Sequence, residues 1–487
     1  MVSVMRIPSH PQKIAWVFCL LLSAQACAPD LGPLEKPDDA LTKAASLGGG
    51  GNATYPEAHW WDHYGDSQLR SLIERGLKDS PTLAEATARL SKAVAVAQAA
   101  GAPLYPTISA DATAAQTRQS YNNGVPPAFV PKGFNDTGRA ALNFDYELDF
   151  FGKNSAQAKA ALQEQDAARF EQAQSRIMVS TSIASSYANL AQYYAELNDA
   201  KRSADVRRQT ASLFAKRQKE GLENESSVAE AEANYQVAMA EIAALQEQVD
   251  LTRNQLAALV GAPPQEALMI TPPAPARLNT LPLPSHIPAD LIAHRADIQS
   301  SLATLHATAS RIKVARAGYY PNINLTGYIG HQSFGLGDFF KSGSMIGSFG
   351  PAIHLPIFSG GQIEGDYRAA RADYDIALAS YNASLVNALK EVADSMTSLH
   401  ALQGRLKAAQ AALDASEKSY AIVQNRYRGG LATYIEVLRA EDTLLANRRS
   451  MEDMRTRAFI LDVALVKALG ASFHVSPSGG TPVAAQS

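Results

Sequence analysis

The sequence predicts an α+β chain in which very long coiled-coil helices carry a few amphipathic strands, laid out as two copies of one pattern. Three observations predict it. Residues 154–220 contain no glycine or proline, and an unbroken helix over that stretch would run about 100 Å at about 1.5 Å per residue. Short segments alternate strictly between apolar and polar side chains, the signature of a strand with one greasy and one wet face. Finally, Gly152 and Gly361, Gly221 and Gly430, and Gly261 and Gly470 are three pairs of landmarks with one common offset, 209 residues. A repeated spacing of that kind marks an internal duplication.

Each half reads as helix, two strands, long helix and return helix. Leu69 to Ala100 has a helical pattern, with Pro81 placed for a helix start. In Ala141 to Phe150 the apolar Leu142, Phe144, Tyr146, Leu148 and Phe150 alternate with Asn143, Asp145, Glu147 and Asp149. Asn322 to Ile329 repeats the alternation, and Thr107 to Thr117 and Met345 to Ile357 read as the hairpin partners. Between the first two strands, Ser120 to Gly138 is rich in proline, glycine and asparagine and reads as an exposed loop. Long helices follow over Asn154 to Glu220 and Gln362 to Arg428, the second interrupted only by Gly365 and Gly404. Their apolar residues step by three and four: Ile183, Tyr187, Leu190, Tyr194, Leu197 in one; Leu378, Tyr381, Leu385, Ala388, Val392 in the other. Ile242, Leu245, Val249, Thr252, Leu256 and Leu259 do the same in a return helix, so each long helix is expected to pack on its return partner as a coiled coil. Gly221 and Gly430 stand where the chain must reverse.

The first 26 residues read as an export signal, with Arg6 and Lys13 ahead of the apolar run Ile14 to Leu22 and small residues at Ala24 and Ala26. Cys27 follows directly. Leu21-Leu22-Ser23-Ala24-Gln25-Ala26-Cys27 resembles a bacterial lipobox, although Ala24 and Gln25 depart from its usual Leu and small residue. Cys27 is expected to carry a covalent lipid, and Ala28 after it is the pattern that permits outer-membrane sorting. Ordinary cleavage after Ala26, leaving a free thiol, is the alternative. Residues 27–66 then form a lipidated N-terminus and linker containing Gly48 to Gly51, residues 67–279 the first repeat, 280–475 the second, and 476–487 a flexible tail.

Composition excludes several classes of function. Forty-four basic against 47 acidic side chains leave a charge of -3, so no polybasic footprint for nucleic acid is present. Cys19 and Cys27 are the two cysteines, which excludes a disulfide framework in the folded part. No phosphate loop, dinucleotide fingerprint or nucleophile elbow occurs. His59 and His63 have the i, i+4 spacing of a helical metal pair but lack its usual companions, and Trp60 and Trp61 beside them point to packing. No enzyme, no metal site and no cofactor other than the lipid on Cys27 is expected.

After the export signal no apolar run reaches the ~20 residues of a membrane-spanning helix. The strands, by contrast, have the ~10 residues that a transmembrane strand needs. Four of them cannot span a bilayer alone, because open sheet edges would leave backbone groups unpaired in hydrocarbon. Several chains must share one barrel, and the fewest whole chains that enclose a roomy lumen is about three.

These segments resemble the outer-membrane efflux proteins, the TolC-like and OprM-like outer-membrane factors, in their NodT-type lipoprotein branch. The resemblance rests on Trp60-Trp61-Asp62-His63-Tyr64-Gly65-Asp66-Ser67-Gln68-Leu69, Asp145 to Gly152, Arg295-Ala296-Asp297-Ile298, Pro356 to Gly361 and Arg426 to Leu431. It implies a homotrimeric, lipid-anchored duct: a transmembrane β-barrel with four strands per chain, continued by a periplasmic α-barrel. Its partners would be a periplasmic adaptor and an inner-membrane pump of the resistance-nodulation-division type, which drives drugs or other small molecules through a passive conduit. By position, Glu436 falls at the pore aperture, with Ile435 as an apolar constriction and Arg439, where many relatives carry Asp, as a bridge partner for Glu436. A solvated helix face is the alternative for Glu436, Arg439 and Glu441. The turns holding Gly221 and Leu222, and Tyr427, Arg428, Gly429 and Gly430, resemble adaptor-docking tips, although the glycines could serve the reversal alone. A channel for type I protein secretion and a non-conducting coiled-coil lipoprotein are the competing functions.

Overall fold

The computed structural model describes residues 31–37, 59–273 and 295–470. The export signal, Cys27, the Gly48 to Gly51 linker and the 476–487 tail lie outside the described residues. After a short turn over Trp60–Tyr64 the chain forms α1 (Ser67–Asp79), α2 (Pro81–Gly101), β1 (Thr107–Thr117), β2 (Asn135–Glu147), α3 (Lys153–Lys219) and α4 (Glu225–Leu259). The second half supplies α5 (Ala296–Ala317), β3 (Asn322–Phe334), β4 (Met345–His354), α6 (Gln362–Arg428) and α7 (Tyr434–Ala468). Helices α3 and α6 are both 67 residues long and α4 and α7 both 35. Gly365 and Gly404 do not interrupt α6. All six landmark glycines have φ between 71 and 86°, the left-handed region, so the shared offset is also a shared backbone conformation.

The chain forms two compact units that are not the two halves of the sequence, because each takes segments from both. One comprises residues 31–37, 91–167 and 301–381 and contains the sheet. Its strands pair antiparallel in the order β1-β2-β3-β4. The expected hairpins, β1 with β2 and β3 with β4, are present, and β2 pairs with β3 between them. Four strand ends differ from expectation. Strand β2 begins at Asn135 rather than Ala141 because the ladder runs on to Thr117 opposite Asn135, where the hydroxyls of Thr117 and Thr137 meet at 3.1 Å. It stops at Glu147 because Asp149 turns to accept the N–H groups of Asn154 and Ser155 at 3.0 and 2.8 Å, starting α3. Strand β3 extends to Phe334, held opposite Thr137, and β4 ends at His354, leaving Ile357 almost fully exposed beyond it.

In the same unit Leu378 packs with Leu305 and Ile312 of α5. The start of that heptad seam therefore faces α5 rather than its return helix. Leu31 and Leu34 join this cluster, where Arg371 donates to the carbonyls of Leu31, Gly32 and Pro33 and Tyr374 to that of Glu35.

The second unit comprises residues 59–90, 168–273, 295–300 and 382–470. Its core joins the seam of α3 (Ile183, Tyr187, Leu190, Leu197) to that of α4 (Leu245, Val249, Leu256) and to Phe459, Val463 and Val466 of α7. Trp60, Trp61 and Tyr64 are buried here. Tyr64 donates to Asp462 at 2.6 Å, and Asp66 caps α1 through the N–H groups of Gln68 and Leu69 while accepting from Tyr187 at 3.0 Å. The Trp-Trp motif is thus a plug that fastens the first helix to α3 and α7. Arg295, also buried, clamps Asp297, Glu391 and the carbonyl of Ala468. At Gly261 a Cβ would lie 2.3 Å from the carbonyl oxygen of Asp79, so only glycine admits that approach.

Candidate functional site

The sheet and the two helix reversals carry the features with functional content. Register sorts the sheet into two faces. Ile108, Phe144, Gly327 and Phe349 stand opposite one another across all four strands, and Ala110, Leu142, Ile329 and Gly347 form the next row of that face. The other face carries Thr107, Asp145, Thr326 and Gly350, then Ser109, Asn143, Tyr328 and Ser348. Asn143 donates to Asp111 on this polar side. The apolar face is open: Ile108 is 73% exposed, Phe349 71%, Ile329 58% and Leu142 54%. Strands β1 and β4 form the edges of the sheet, each with one row of backbone groups unpaired among the described residues.

The reversals are built alike. At the end of α3, Leu222 N–H donates to Arg217 O at 2.8 Å and Gly221 N–H to Gln218 O at 2.9 Å; at the end of α6, Leu431 N–H donates to Arg426 O at 2.8 Å and Gly430 N–H to Tyr427 O at 3.0 Å. This is the Schellman pattern, which needs a left-handed residue just past the helix; Gly221 and Gly430, at φ 71 and 74°, supply it. Three residues after each glycine the next helix is capped, by Asn224 accepting from Ser227 N–H and by Thr433 accepting from Glu436 N–H. Leu222, Arg428, Gly429 and Gly430 are exposed. Tyr427 is the exception among the expected docking residues: it packs with Tyr434, Phe214 and Ala231 in a small cluster.

The aperture candidates occupy the first two turns of α7. Ile435, Glu436 and Arg439 are exposed in the chain. The Glu436 carboxylate accepts from the N–H and hydroxyl of Thr433, both at 3.1 Å, completing a capping box. Those two donors hold its pKa below the ordinary value. Within the chain Glu436 is therefore engaged by Thr433 and not by Arg439. Glu441 departs from the solvated-face alternative: it is 5% exposed and accepts from the Ser203 hydroxyl of α3 at 2.9 Å. Burial pushes its pKa up, partly offset by Ser203 and the nearby Arg207.

Beside it Arg207 donates to Asp442 at 2.8 Å and to the carbonyl of Asn234 on α4 at 3.4 Å. The ties from α3 to α7 have no signature in the sequence, since their partners are more than 200 residues apart and leave no spacing signal. His59 lies edge-on to Trp61 at 5.3 Å and His63 to Tyr64 at 6.3 Å, so both rings belong to the plug. Cys27 lies outside the described residues.

Comparison with known proteins accounts for both halves of this architecture. The family described as outer membrane efflux protein matches the chain twice, over residues 72–262 and 287–471. The multidrug resistance outer membrane protein MdtP of Escherichia coli O157:H7 is 28% identical over 430 residues, covering 87% of this chain and 88% of that protein. The cation efflux system protein CusC of Escherichia coli O6:H1 is 27% identical over 469 residues, 94% of this chain and 98% of that one. Among solved structures, the outer membrane protein VceC of Vibrio cholerae superimposes with a TM-score of 0.79 at 42% identity, covering 85% of this chain and 99% of that one. The CmeC outer membrane channel of Campylobacter jejuni reaches 0.83 at 22% identity, over 92% and 95%, and shares the fold. The plugged coiled coils, the doubled helix reversals and the two-faced sheet are thus those of an outer-membrane protein, and the chain belongs to the outer membrane efflux protein family.

Proposed function

We propose that this protein is the exit duct of a tripartite efflux pump: a homotrimer whose twelve strands, four from each chain, close one barrel in the outer membrane above a periplasmic α-barrel. The observation that carries this reading is the open sheet with an exposed apolar face and two unpaired edges. Neither property is tolerable in a lone chain. Lipid satisfies the face, and antiparallel pairing of β1 with β4 of the next copy satisfies the edges. A periplasmic adaptor would dock at the turns holding Gly221, Leu222 and Arg428 to Gly430, and an inner-membrane pump of the resistance-nodulation-division type would supply the energy. Lipid on Cys27 would add a second hold on the membrane. The conduit itself is passive, and the similarity to MdtP, a multidrug resistance protein, and to CusC, a cation efflux system protein, supports small solutes or ions as cargo.

The test is size-exclusion with light scattering, for a mass three times that of the chain, followed by conductance in a planar bilayer. A non-conducting monomer would sink the proposal. A deletion strain sensitised to antibiotics, dyes or metal ions and restored by the gene would establish efflux, whereas loss of one secreted polypeptide with unchanged susceptibility would establish protein export instead. At the aperture, Glu436→Gln keeps an acceptor for Thr433 but removes the charge, while Glu436→Ala removes both. A charged ring at the aperture requires the two variants to lose cation selectivity equally; a purely capping role requires the glutamine variant to behave as wild type.

A further inference from the structure

Where the chain leaves the sheet for α3, the rings of Phe151 and Tyr320 stack at 4.7 Å with planes 13° apart. They flank an open cleft of about 570 Å³ between the first two turns of α3 and the end of α5. That volume suits an organic ligand rather than a bare ion. Lys159 enters from α3, and Lys313 and Arg316 from α5. The spacing explains the convergence: Ser155 and Lys159 are one turn apart on α3, as are Lys313 and Arg316 on α5, so each helix presents its pair on one side.

Charge balance makes this cleft unlike its surroundings. Nearby Lys153 is paired with Glu147 and Arg311 with Glu164. The Asp149 carboxylate is occupied by the N–H groups of Asn154 and Ser155. Among the described residues Lys159, Lys313 and Arg316 have no ion-pair partner, although three cations on one cleft repel one another. An anion relieves that repulsion, and a phosphate accepts from a guanidinium and ammonium groups together. An aromatic pair at the end of membrane strands is also where the interfacial girdle of a barrel falls.

We propose that this cleft binds the headgroup of an anionic phospholipid, with Lys159, Lys313 and Arg316 on the phosphate and the Phe151–Tyr320 pair against the glycerol and first methylenes. The inference rests on the membrane placement of the sheet proposed above. Each basic residue near an anionic headgroup is worth roughly fivefold in affinity, so removing three loses on the order of 100-fold.

The experiment uses the full-length protein purified in detergent and stripped of lipid. Short-chain phosphatidylglycerol, phosphatidylcholine and inorganic phosphate are titrated separately and binding is read by native mass spectrometry, on wild type and on the triple variant Lys159→Gln, Lys313→Gln, Arg316→Gln. Lys407→Gln, an exposed lysine elsewhere, serves as the control. The expected result is a phosphatidylglycerol bound by wild type and the control and weakened about 100-fold in the triple variant, with phosphatidylcholine and phosphate binding far more weakly throughout. Equal retention by wild type and triple variant, or inorganic phosphate binding as tightly as phosphatidylglycerol, overturns the site. Conductance of the same preparation separates the two failures: a conducting trimer without the lipid refutes this cleft alone, and a non-conducting monomer refutes the channel.

Discussion

Arg295→Met is the substitution whose consequence follows most directly from the structure. The methionine keeps most of the buried stem and removes four hydrogen bonds: two to Asp297 at 3.1 and 2.7 Å, one to Glu391 at 2.8 Å and one to the carbonyl of Ala468 at 3.0 Å. These losses differ in weight. The side chains of Asp297 and Glu391 are 33% and 46% exposed, so both carboxylates rehydrate, and each costs about 0.5 kcal/mol, as for other partly solvated pairs. The Ala468 carbonyl loses its donor in a buried setting, which costs about 2 kcal/mol. Together the end of α7 is loosened by about 3 kcal/mol, equivalent to a local opening equilibrium on the order of 100-fold larger. Amide hydrogen exchange in detergent reads this directly: Leu469 N–H, bonded to Leu465 O at 2.9 Å, and its neighbours should exchange on the order of 100-fold faster, while amides of α4 stay unchanged. Arg295→Lys should fall between. Exchange in the methionine variant within about threefold of wild type would show that the clamp does not hold this helix end.

Glu441→Gln should stabilise the protein at neutral pH. Burial raises the folded pKa of Glu441, so the fold favours the protonated acid: its stability is complete below the unfolded value of about 4.3 and is lost as pH rises through the folded pKa. Tm measured at a fixed scan rate should therefore be higher for the glutamine variant at about pH 7.5 and should converge with wild type near pH 4; a constant gap would contradict the assignment. Gly261→Ala combines a φ of 71° with a 2.3 Å clash against Asp79 and should cost more than the ~1 kcal/mol of a left-handed alanine alone, lowering Tm; a wild-type Tm would refute the close approach. Arg371→Ala removes three donors from the carbonyls of residues 31–33. A glutamyl-specific protease should then cut after Glu35 markedly faster, as read from the appearance of a new terminus at Lys36, and an unchanged rate would show that Leu31, Leu34 and the Tyr374 bond to Glu35 hold the segment without Arg371.

Periodicity and glycine placement made the helices legible in the sequence. A segment of more than 60 residues whose apolar side chains step by three and four favours a helix, and Gly221 and Gly430 end the two longest because each Schellman turn needs a left-handed residue at that point. The bounds of α6 coincide with the run Gln362 to Arg428. Alternation likewise exposed the strands, and the Trp60-Trp61 pair signalled packing. Strand ends were less legible. Whether Asn135 to Ala140 is loop or ladder depends on what stands opposite, and β1 supplies it.

The site divides along the same line. Sequence by itself determined which residues could face lipid and where the chain reverses, because both follow from local periods of two and 3.6 residues and from one residue's backbone freedom. Only tertiary structure decided that Ile108, Phe144 and Phe349 stand in one row, since register is a relation between strands. It alone turned Tyr427 inward, buried Glu441 against Ser203, and gathered Lys159, Lys313 and Arg316 on one cleft. Burial and charge balance depend on neighbours that are more than 150 residues away along the chain, and no spacing within a single helix encodes which neighbour that will be.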